Sequence, residues 1–565
     1  MIKWWQQMIK VAGPLFSNHW LLTQQNSILS AAAVITLANG LVSVSGFMRD
    51  RFLLAIFAGN QISLQAYDAF RVAFQIPDLI FQLLIVGALS ASFIPLFSLL
   101  KKTNRTKAFH FTNICLNYLL LFFLLVCVLI FIFAPELTAW RIGDAYNRTQ
   151  IEIVITLTRI MMVGQFFFAI SSFFSGMLQS YQRFIVPAIV PLFYNAGIVT
   201  GTYLFHSNLG IYAAGLGVIL GAFLHMIIQL PFVYHLGWRY QFNLQWQMIE
   251  VKKLFSLMPA RTLTLGINEI QNFGLSYFVT SVNGIGYTIL ILARSLIIMP
   301  VRFIGVPIAQ AALPFLADLS QPSNISLFKK TLLQSLNQIV YLACPAAVLL
   351  LILRLPVVRL VFGTRNFPWE LTIEVAKMVA IMALSIPAQA IFHLLVRSFH
   401  ALSDTVTPFL ISLFTSCVFF IGAALAIRQD SHQLTGIAIT IAACGILEAC
   451  LYLLLLSFKV KKLLTFSFIL EQIKIYAIAA IMAVSLYIPY KSLDTLVFNT
   501  TKVIPLLALT GITSIIGLSV YILLSKIFHI AEMQILVNIA KKFQRKKEKP
   551  KLLMPPTEII SGEMS

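Results

Sequence analysis

Apolar runs long enough to cross a bilayer recur along almost the whole of this chain, and they leave few folds open to it. A helix needs about 20 mostly apolar residues to traverse ~30 Å of hydrocarbon. Inside that layer only helices and closed barrels satisfy their own backbone polar groups. Hydropathy places such runs at 28–47, 67–98, 111–134, 152–179, 185–205, 211–234, 255–281, 287–317, 331–353, 372–400, 406–427, 435–457, 466–489 and 503–525. Short segments of alternating polarity, the mark of a transmembrane barrel, are absent. The expectation is an all-α integral membrane protein with about 14 transmembrane helices. No connection between runs is long enough for a separate soluble domain.

A formal charge of +21 in a chain that is 59% apolar and 11% charged invites a nucleic-acid reading, which its distribution opposes. Basic residues gather after even-numbered spans: Lys101, Lys102, Arg105 and Lys107; Arg239, Lys252 and Lys253; Lys329 and Lys330; Lys459, Lys461 and Lys462. The C-terminal tail adds Lys541, Lys542, Arg545, Lys546, Lys547, Lys549 and Lys551. Odd-numbered connections carry fewer, chiefly Arg141, Arg148, Arg354, Arg359, Arg365, Arg428 and Lys491. The positive-inside rule then puts both termini in the cytoplasm. The excess charge is read as topology plus attraction to anionic membrane lipids, with no nucleic-acid partner.

Residues 1–26 hold Lys3, Trp4, Trp5, Lys10 and Trp20, with Pro14 interrupting, and read as an interfacial segment. No small-residue cleavage site follows a compact apolar core, so a removed signal peptide is not expected. Residues 528–565 read as a basic cytoplasmic tail, amphipathic from His529 to Phe543 and polar afterwards. Between them the halves echo each other. Gly87–Phe97 (GALSASFIPLF) parallels Gly305–Leu316 (GVPIAQAALPFL), and Leu178–Phe193 parallels Phe399–Phe414, both at an offset of about 220 residues. Two pseudo-symmetric six-helix bundles are expected, over 27–240 and 241–460, with helices 13 and 14 added at 461–527.

Catalytic templates are missing. The chain holds no GxxxxGK[ST] loop, HExxH, GxSxG or CxxC, and its six cysteines (Cys115, Cys127, Cys344, Cys417, Cys444, Cys450) lack metal or redox spacing. No enzyme activity, metal or cofactor is expected. Any energy source is an ion, a potential or a gradient.

The residues with most to say are arginines. Arg49, Arg71, Arg159, Arg261, Arg294 and Arg302 lie inside or at the ends of apolar runs. A charge near the bilayer centre costs several kcal/mol, so it faces a water-filled cavity or a partner. Several together imply a cationic interior and an anionic cargo. Arg294, in TILILARSLIIMP, is flanked by apolar residues and fits no anchor role. Arg49, Asp50 and Arg51 read either as an interfacial anchor or as cations aimed into a cavity from a helix broken at Gly46. Asp68 and Arg71, three apart, share a helix face and are placed to neutralise each other. Pro77 and Pro95 predict kinks whose freed carbonyls need partners, with Asp78 bonding the backbone beside Pro77. Arg261 follows Pro259, and Asn268, Glu269, Gln271 and Asn272 form a polar cluster whose plain reading is glue between helices. Arg302 is near enough to an end to snorkel. Asp404, with His400 one turn earlier, reads either as a cation site or as the cap of the helix opening at TVTP.

Taken in order, GFMRD (Gly46–Asp50), DAF-VAF-IP (Asp68–Pro77), GALSASFIP (Gly87–Pro95), QRFIVPAIVP (Gln182–Pro191), QLP (Gln229–Pro231), Ala293–Arg294 and RSFHALSDTVTP (Arg397–Pro408) resemble the MurJ/MviN lipid II flippase family, within the multidrug/oligosaccharidyl-lipid/polysaccharide exporter superfamily. The resemblance covers roughly residues 28–525. It implies flipping of a polyprenyl-pyrophosphate-linked peptidoglycan precursor across the bacterial cytoplasmic membrane. Helices one, two, seven and eight would line a cationic cavity, and helices 13 and 14 a groove for the lipid tail. Carried residue by residue, Arg49 and Asp50 match the family's Arg-Asp pair, Asp68 its acidic residue at the start of helix two, and Arg294 its helix-eight arginine. Cell-wall synthesis proteins become expected partners.

The chain also departs from the family pattern. An arginine usual three residues before the glycine of GFMRD is Ser43 here, and an Arg-Arg pair and a glutamate in helix two are Phe81, Gln82 and Val86. Arg71 and Arg261 are the candidates to compensate, completing the expected substrate set of Arg49, Asp50, Asp68, Arg71, Arg261 and Arg294. The competing readings are an exporter of another lipid-linked oligosaccharide, a drug exporter, which the arginines oppose, and a degenerate scaffold of cell-wall synthesis. A polyprenyl-phosphate glycosyltransferase would need paired carboxylates on a sizeable loop, and none is visible.

Overall fold

The computed structural model describes residues 28–83, 93–429, 433–460, 463–496 and 502–533, and among them every regular element is helical. The expected interfacial segment 1–26, most of Gly87–Phe97, Lys461, Lys462 and the basic tail from Lys541 lie outside the described residues, as do the side chains of 28–36, 257, 259–268, 322 and 496. The first half comprises α1 (Ile28–Phe57), α2 (Gln61–Ala73), α3 (Gln75–Phe81), α4 (Ile94–Thr103), α5 (Arg105–Arg141), α6 (Arg148–Ser180), α7 (Ile185–Leu209), α8 (Tyr212–Ile227) and α9 (Leu230–His235). The second comprises α10 (Ile249–Val282), α11 (Gly286–Pro300), α12 (Val306–Asp318), α13 (Ile325–Ile352), α14 (Arg354–Phe362), α15 (Trp369–Ala383), α16 (Ile386–Ala401), α17 (Val406–Ile427) and α18 (Gln433–Lys459). Helices α19 (Phe466–Leu496) and α20 (Val503–Ile527) follow. Among the described residues, ten helices are long and apolar enough to cross a membrane, or eleven when α15 and α16, bent by 50°, count as one span.

Two helix boundaries differ from expectation for local reasons. The first helix is not broken at Gly46 but runs on to Phe57, because Leu53, Leu54 and Phe57 keep one face buried beyond the charged GFMRDR stretch. The second span breaks at Phe74, one turn before Pro77. A proline lacks the N–H that would bond four residues back and its ring crowds that carbonyl, so the disturbance falls on the preceding turn. The carbonyls there find side-chain partners: Arg141 Nη2 donates to Val72 O at 3.0 Å and Thr158 Oγ1 to Ala73 O at 3.2 Å.

The internal repeat is visible in backbone detail. Helix α6 ends with Gln182 in the left-handed region (φ 57°) and α16 ends with Ser403 likewise (φ 58°). Arg183 N bonds to Leu178 O at 3.0 Å, and Asp404 N to Phe399 O at 2.9 Å, the same six-residue closure in each half. Elsewhere small residues set the packing distance. Gly197 and Gly201 on α7 face Gly221 and Gly217 on α8, where a Cβ at Gly197 would meet Gly221 Cα at 2.3 Å. Such close backbone approach replaces the hydrophobic drive that is missing between helices in lipid.

One apolar core joins the halves broadly, and a second belongs to the first half except where the start of α10 (Val251, Leu254) enters it. Leu53, Leu54, Tyr67 and Phe70 of the first half share a cluster with Leu290, Leu292, Val358 and Phe362 of the second. A separate cluster of Phe93, Phe97, Phe111, Phe173 and Trp238 draws on no residue beyond Met258. Most of the apolar contact between the halves therefore lies at the end of the odd-numbered connections, while the start of α10 touches the first half at the other end, where Lys107 pairs with Glu250 at 2.8 Å. Polar contacts agree: Gln150 Nε2 donates to Gly284 O at 2.7 Å, Gly143 N to Thr280 Oγ1 at 2.9 Å, and Asn366 Nδ2 to Ala55 O at 2.7 Å.

Candidate functional site

Three adjoining cavities lie between and within the halves. The largest, about 410 Å³, is lined by Gln75, Asp78, Glu269, Asn272, Tyr287, Arg294 and Arg302. It shares Gln75, Asp78, Tyr287 and Ile291 with a cavity of about 190 Å³ that holds Arg49 and Arg71. On its other side it shares Asn272, Leu275, Arg294 and Ile298 with a cavity of about 290 Å³ that reaches His393, Ser412 and Glu448. Arg49 and Arg71 thus line one cavity and Arg294 the cavity that shares its wall. Arg261 has its side chain outside the described residues.

Asp50 organises the first-half cations. Its Oδ1 accepts from Arg49 Nε at 2.9 Å and Nη2 at 2.8 Å, while Oδ2 pairs with Arg71 Nη2 at 2.8 Å. Arg49 also donates from Nη1 to Asn195 Oδ1 at 3.0 Å, and Asn195 donates in turn to Ser45 Oγ at 2.8 Å. Two guanidiniums around one carboxylate leave one net positive charge, held rigidly at the cavity wall. The expected neutralisation of Arg71 by Asp68 does not occur. Asp68 is fully buried and bonded to Tyr146 Oη and to the backbone N–H of Thr288, while Arg71 turns the other way to Asp50. A spacing of three places two side chains on one helix side, but a helix N-terminus from the other half offers Asp68 unsatisfied N–H groups, which suit a carboxylate better. Asp68 therefore lies at the junction of the halves and lines none of the three cavities.

Other assignments change as well. Arg294 Nη1 donates to Asn272 Oδ1 at 3.1 Å, and Glu269, Gln271 and Asn272 of the α10 polar cluster are cavity wall, while the side chain of Asn268 lies outside the described residues. Asp78, expected to serve the backbone beside Pro77, lines two cavities. Arg302 lines the largest cavity instead of snorkelling, carried by a wide turn in which Val306 N bonds back to Val301 O. Arg159 is away from all three; it donates to Phe131 O at 3.0 Å with its guanidinium 4.8 Å from the Phe131 ring centre. Arg141, assigned to a connection, is buried and serves the break at Phe74.

Asp404 is a helix cap. Its Oδ1 accepts from Val406 N and Thr407 N, each at 3.0 Å, and Oδ2 pairs with the Lys459 ammonium. A fixed ammonium stands where a cation would sit. Burial pushes the Asp404 carboxyl up, but the bonds from Lys459 and Thr407 outweigh it and hold it below the ordinary carboxylate range.

Sequence reasoning passed over Glu448. It accepts from Ser412 Oγ at 3.1 Å, forms no ion pair among the described residues, and faces the third cavity from the middle of α18. The signal was available: a lone acid in ACGILEACLYLLLL is the kind of intramembrane charge that calls for a cavity. With Asp78, Glu269 and Glu448 lining it beside the arginines, the interior is mixed in sign.

Comparison with known proteins gives this architecture its relatives. The model of the lipid II flippase MurJ family matches residues 63–507. A probable lipid II flippase MurJ of Rhizobium meliloti (strain 1021) is 26% identical over 470 residues, 82% of this chain and 86% of that protein. The lipid II flippase MurJ of Burkholderia cenocepacia (strain ATCC BAA-245 / DSM 16553 / LMG 16656 / NCTC 13227 / J2315 / CF5610) is 22% identical over 414 residues, 71% of this chain and 78% of that one. A solved structure of a lipid II flippase MurJ in an inward closed conformation superposes with a TM-score of 0.72 at 21% identity, covering 88% of this chain and 99% of that chain. An inward-facing multidrug resistance MATE family transporter of the MOP superfamily shares the fold more distantly, with a TM-score of 0.60 at 11% identity over 75% of this chain and 95% of that one. On the strength of the family match across most of its length, the chain belongs to the lipid II flippase MurJ family.

Proposed function

We propose that this chain is a multi-pass protein of the bacterial cytoplasmic membrane that flips lipid II, a polyprenyl-pyrophosphate-linked peptidoglycan precursor, by alternating access. The observation that carries the reading is that Arg49, Arg71 and Arg294 line adjoining cavities with shared walls between the halves. A diphosphate entering that space meets guanidiniums from α1, α2 and α11, which can engage it in charge-assisted bonds. Asp50 is the counter-ion that holds two of them in place, and Asp68 acts at the junction of the halves rather than on the cargo. Arg261 remains a candidate contributor. The broader of the contacts between the halves gathers at the odd-numbered connections, the outer side if both termini are cytoplasmic. That arrangement supports a cavity loaded from the cytoplasm. The polyprenyl tail stays in lipid along α19 and α20, whose outward faces carry exposed Ile481, Val484, Ile504 and Ile515. Rocking of bundles 27–240 and 241–460 then presents the headgroup outside, with membrane potential able to bias any step that moves charge.

The test is reconstitution. Proteoliposomes holding the full chain and lipid II should expose the headgroup to an outside reagent faster than empty liposomes, and Arg294→Ala should remove the gain. Unchanged sidedness with the unmodified protein would sink the reading.

A further inference from the structure

A fourth cavity, of about 300 Å³, lies away from Arg294, where the odd-numbered connections meet α20. Arg51 at the end of α1, Arg359 on α14, Arg365 in the turn after it and Lys502 at the foot of α20 all line it. None of the four forms an ion pair with a carboxylate among the described residues. Arg51 gives Nη1 to Leu360 O at 2.5 Å, and Arg359 lies 5.6 Å from the Trp369 ring centre, so both are oriented while other donors stay free. Thr364, also in the wall, has a buried hydroxyl with no hydrogen-bond partner among the described residues. The first turn of the 25-residue α20 completes the lining, and among the described residues no side chain caps its N–H groups. Like charges brought together from three separate segments repel unless an anion sits among them. Guanidiniums, an ammonium, a free hydroxyl and the positive end of a helix are together the donor set of a phosphate site. Beside it Val503, Ile504 and Leu507 are exposed at 52%, 80% and 53%, an apolar face for acyl or prenyl chains.

We propose that this cavity binds the phosphate or diphosphate headgroup of a lipid, at a site separate from the central cavities and independent of the cargo assigned to them. Arg51 belongs to the first half, Arg359 and Arg365 to the second, and Lys502 to the terminal helix pair, so the bound headgroup ties all three together. By the orientation above, the site serves the outer leaflet.

Native mass spectrometry of the detergent-purified full chain tests this with three probes: phosphatidylglycerol, a polyprenyl diphosphate and inorganic pyrophosphate. The variant is R365Q/K502Q; K502Q alone repeats the test should the pair fail to fold. The expected result is about tenfold weaker retention of lipid adducts by the variant, against an unchanged set in R294A for phosphatidylglycerol. Loss of both lipids assigns the site to lipid phosphates generally, and loss of the diphosphate alone assigns it to the prenyl carrier. Equal retention of both lipids by variant and parent overturns the proposal, as does binding of inorganic pyrophosphate here with neither lipid.

Discussion

The carboxylate of Asp68 accepts the backbone N–H of Thr288, a residue 220 positions further along the chain. A side chain of α2 thereby caps α11, the helix that carries Arg294, and the bond spans the two halves beside the apolar core they share. Asp68→Ala removes this cap and strands Tyr146 Oη. A loss of ~1–3 kcal/mol is expected for deleting a buried partner. Cysteine pairs placed across the junction should cross-link less in the variant; unchanged cross-linking would mean that the bond does not hold the halves together.

Asp50 bears on two guanidiniums at once. Removing one partner of a buried ion pair costs ~3–5 kcal/mol because a charge is left uncompensated. Asp50→Ala should therefore lower the thermal unfolding midpoint more than Arg71→Ala does. The double variant should recover part of the loss, since it strands one fewer charge. Strict additivity would show that the Asp50–Arg71 contact carries no coupling.

Arg71 lines a cavity from α2, where the family resemblance leads to the expectation of an Arg-Arg pair that this chain replaces with Phe81 and Gln82, and compensation by Arg71 is a kinetic proposal. In a lipid II flipping assay Arg294→Ala should abolish transport and Arg71→Ala should slow it about tenfold, the scale of one charge-assisted contact. Full activity in Arg71→Ala would end the compensation argument.

The glycine crossing of α7 and α8 has no room for a side chain. Gly221→Val should cost ~1–3 kcal/mol by overpacking, because a Cβ there already meets Tyr194 O at 2.5 Å. Circular dichroism melts of purified variants would register the loss, whereas Gly46→Ala, with nothing within 4 Å, should melt near the parent.

Asp404 supplies the pH dependence. Its carboxyl sits below the ordinary value of 3.8 in the folded protein. A depressed carboxylate stabilises the fold fully above its unfolded value, and the contribution drains away as pH falls through the folded one. Unfolding midpoints taken between neutral and strongly acid pH should show Asp404→Asn less stable by ~0.2–1 kcal/mol at neutral pH, because Asn keeps the cap but loses the half-exposed Lys459 pair. The two curves should converge in acid. Parallel curves would dissociate the cap from the Lys459 pair.

Much of the architecture was legible along the chain, because membrane insertion depends on quantities local to about 20 residues. The spans, the break near Pro77, the halves repeated around Gln182 and Ser403, and the intramembrane arginines all come from composition and short spacing. Which carboxylate serves which arginine was not so accessible. Asp68 stands beside Arg71 in sequence yet turns to Thr288, and Asp50 takes Arg71 from another helix. Those choices depend on where the two bundles touch, set by packing between segments hundreds of residues apart. Packing also turned Glu269, Asp78 and Glu448 into cavity lining and gathered Arg51, Arg359, Arg365 and Lys502 around one pocket. The sequence by itself determined what the chain must be in a bilayer; the tertiary structure decided which charges face each other, because a charge's partner is a matter of distance in space and not of spacing along the chain.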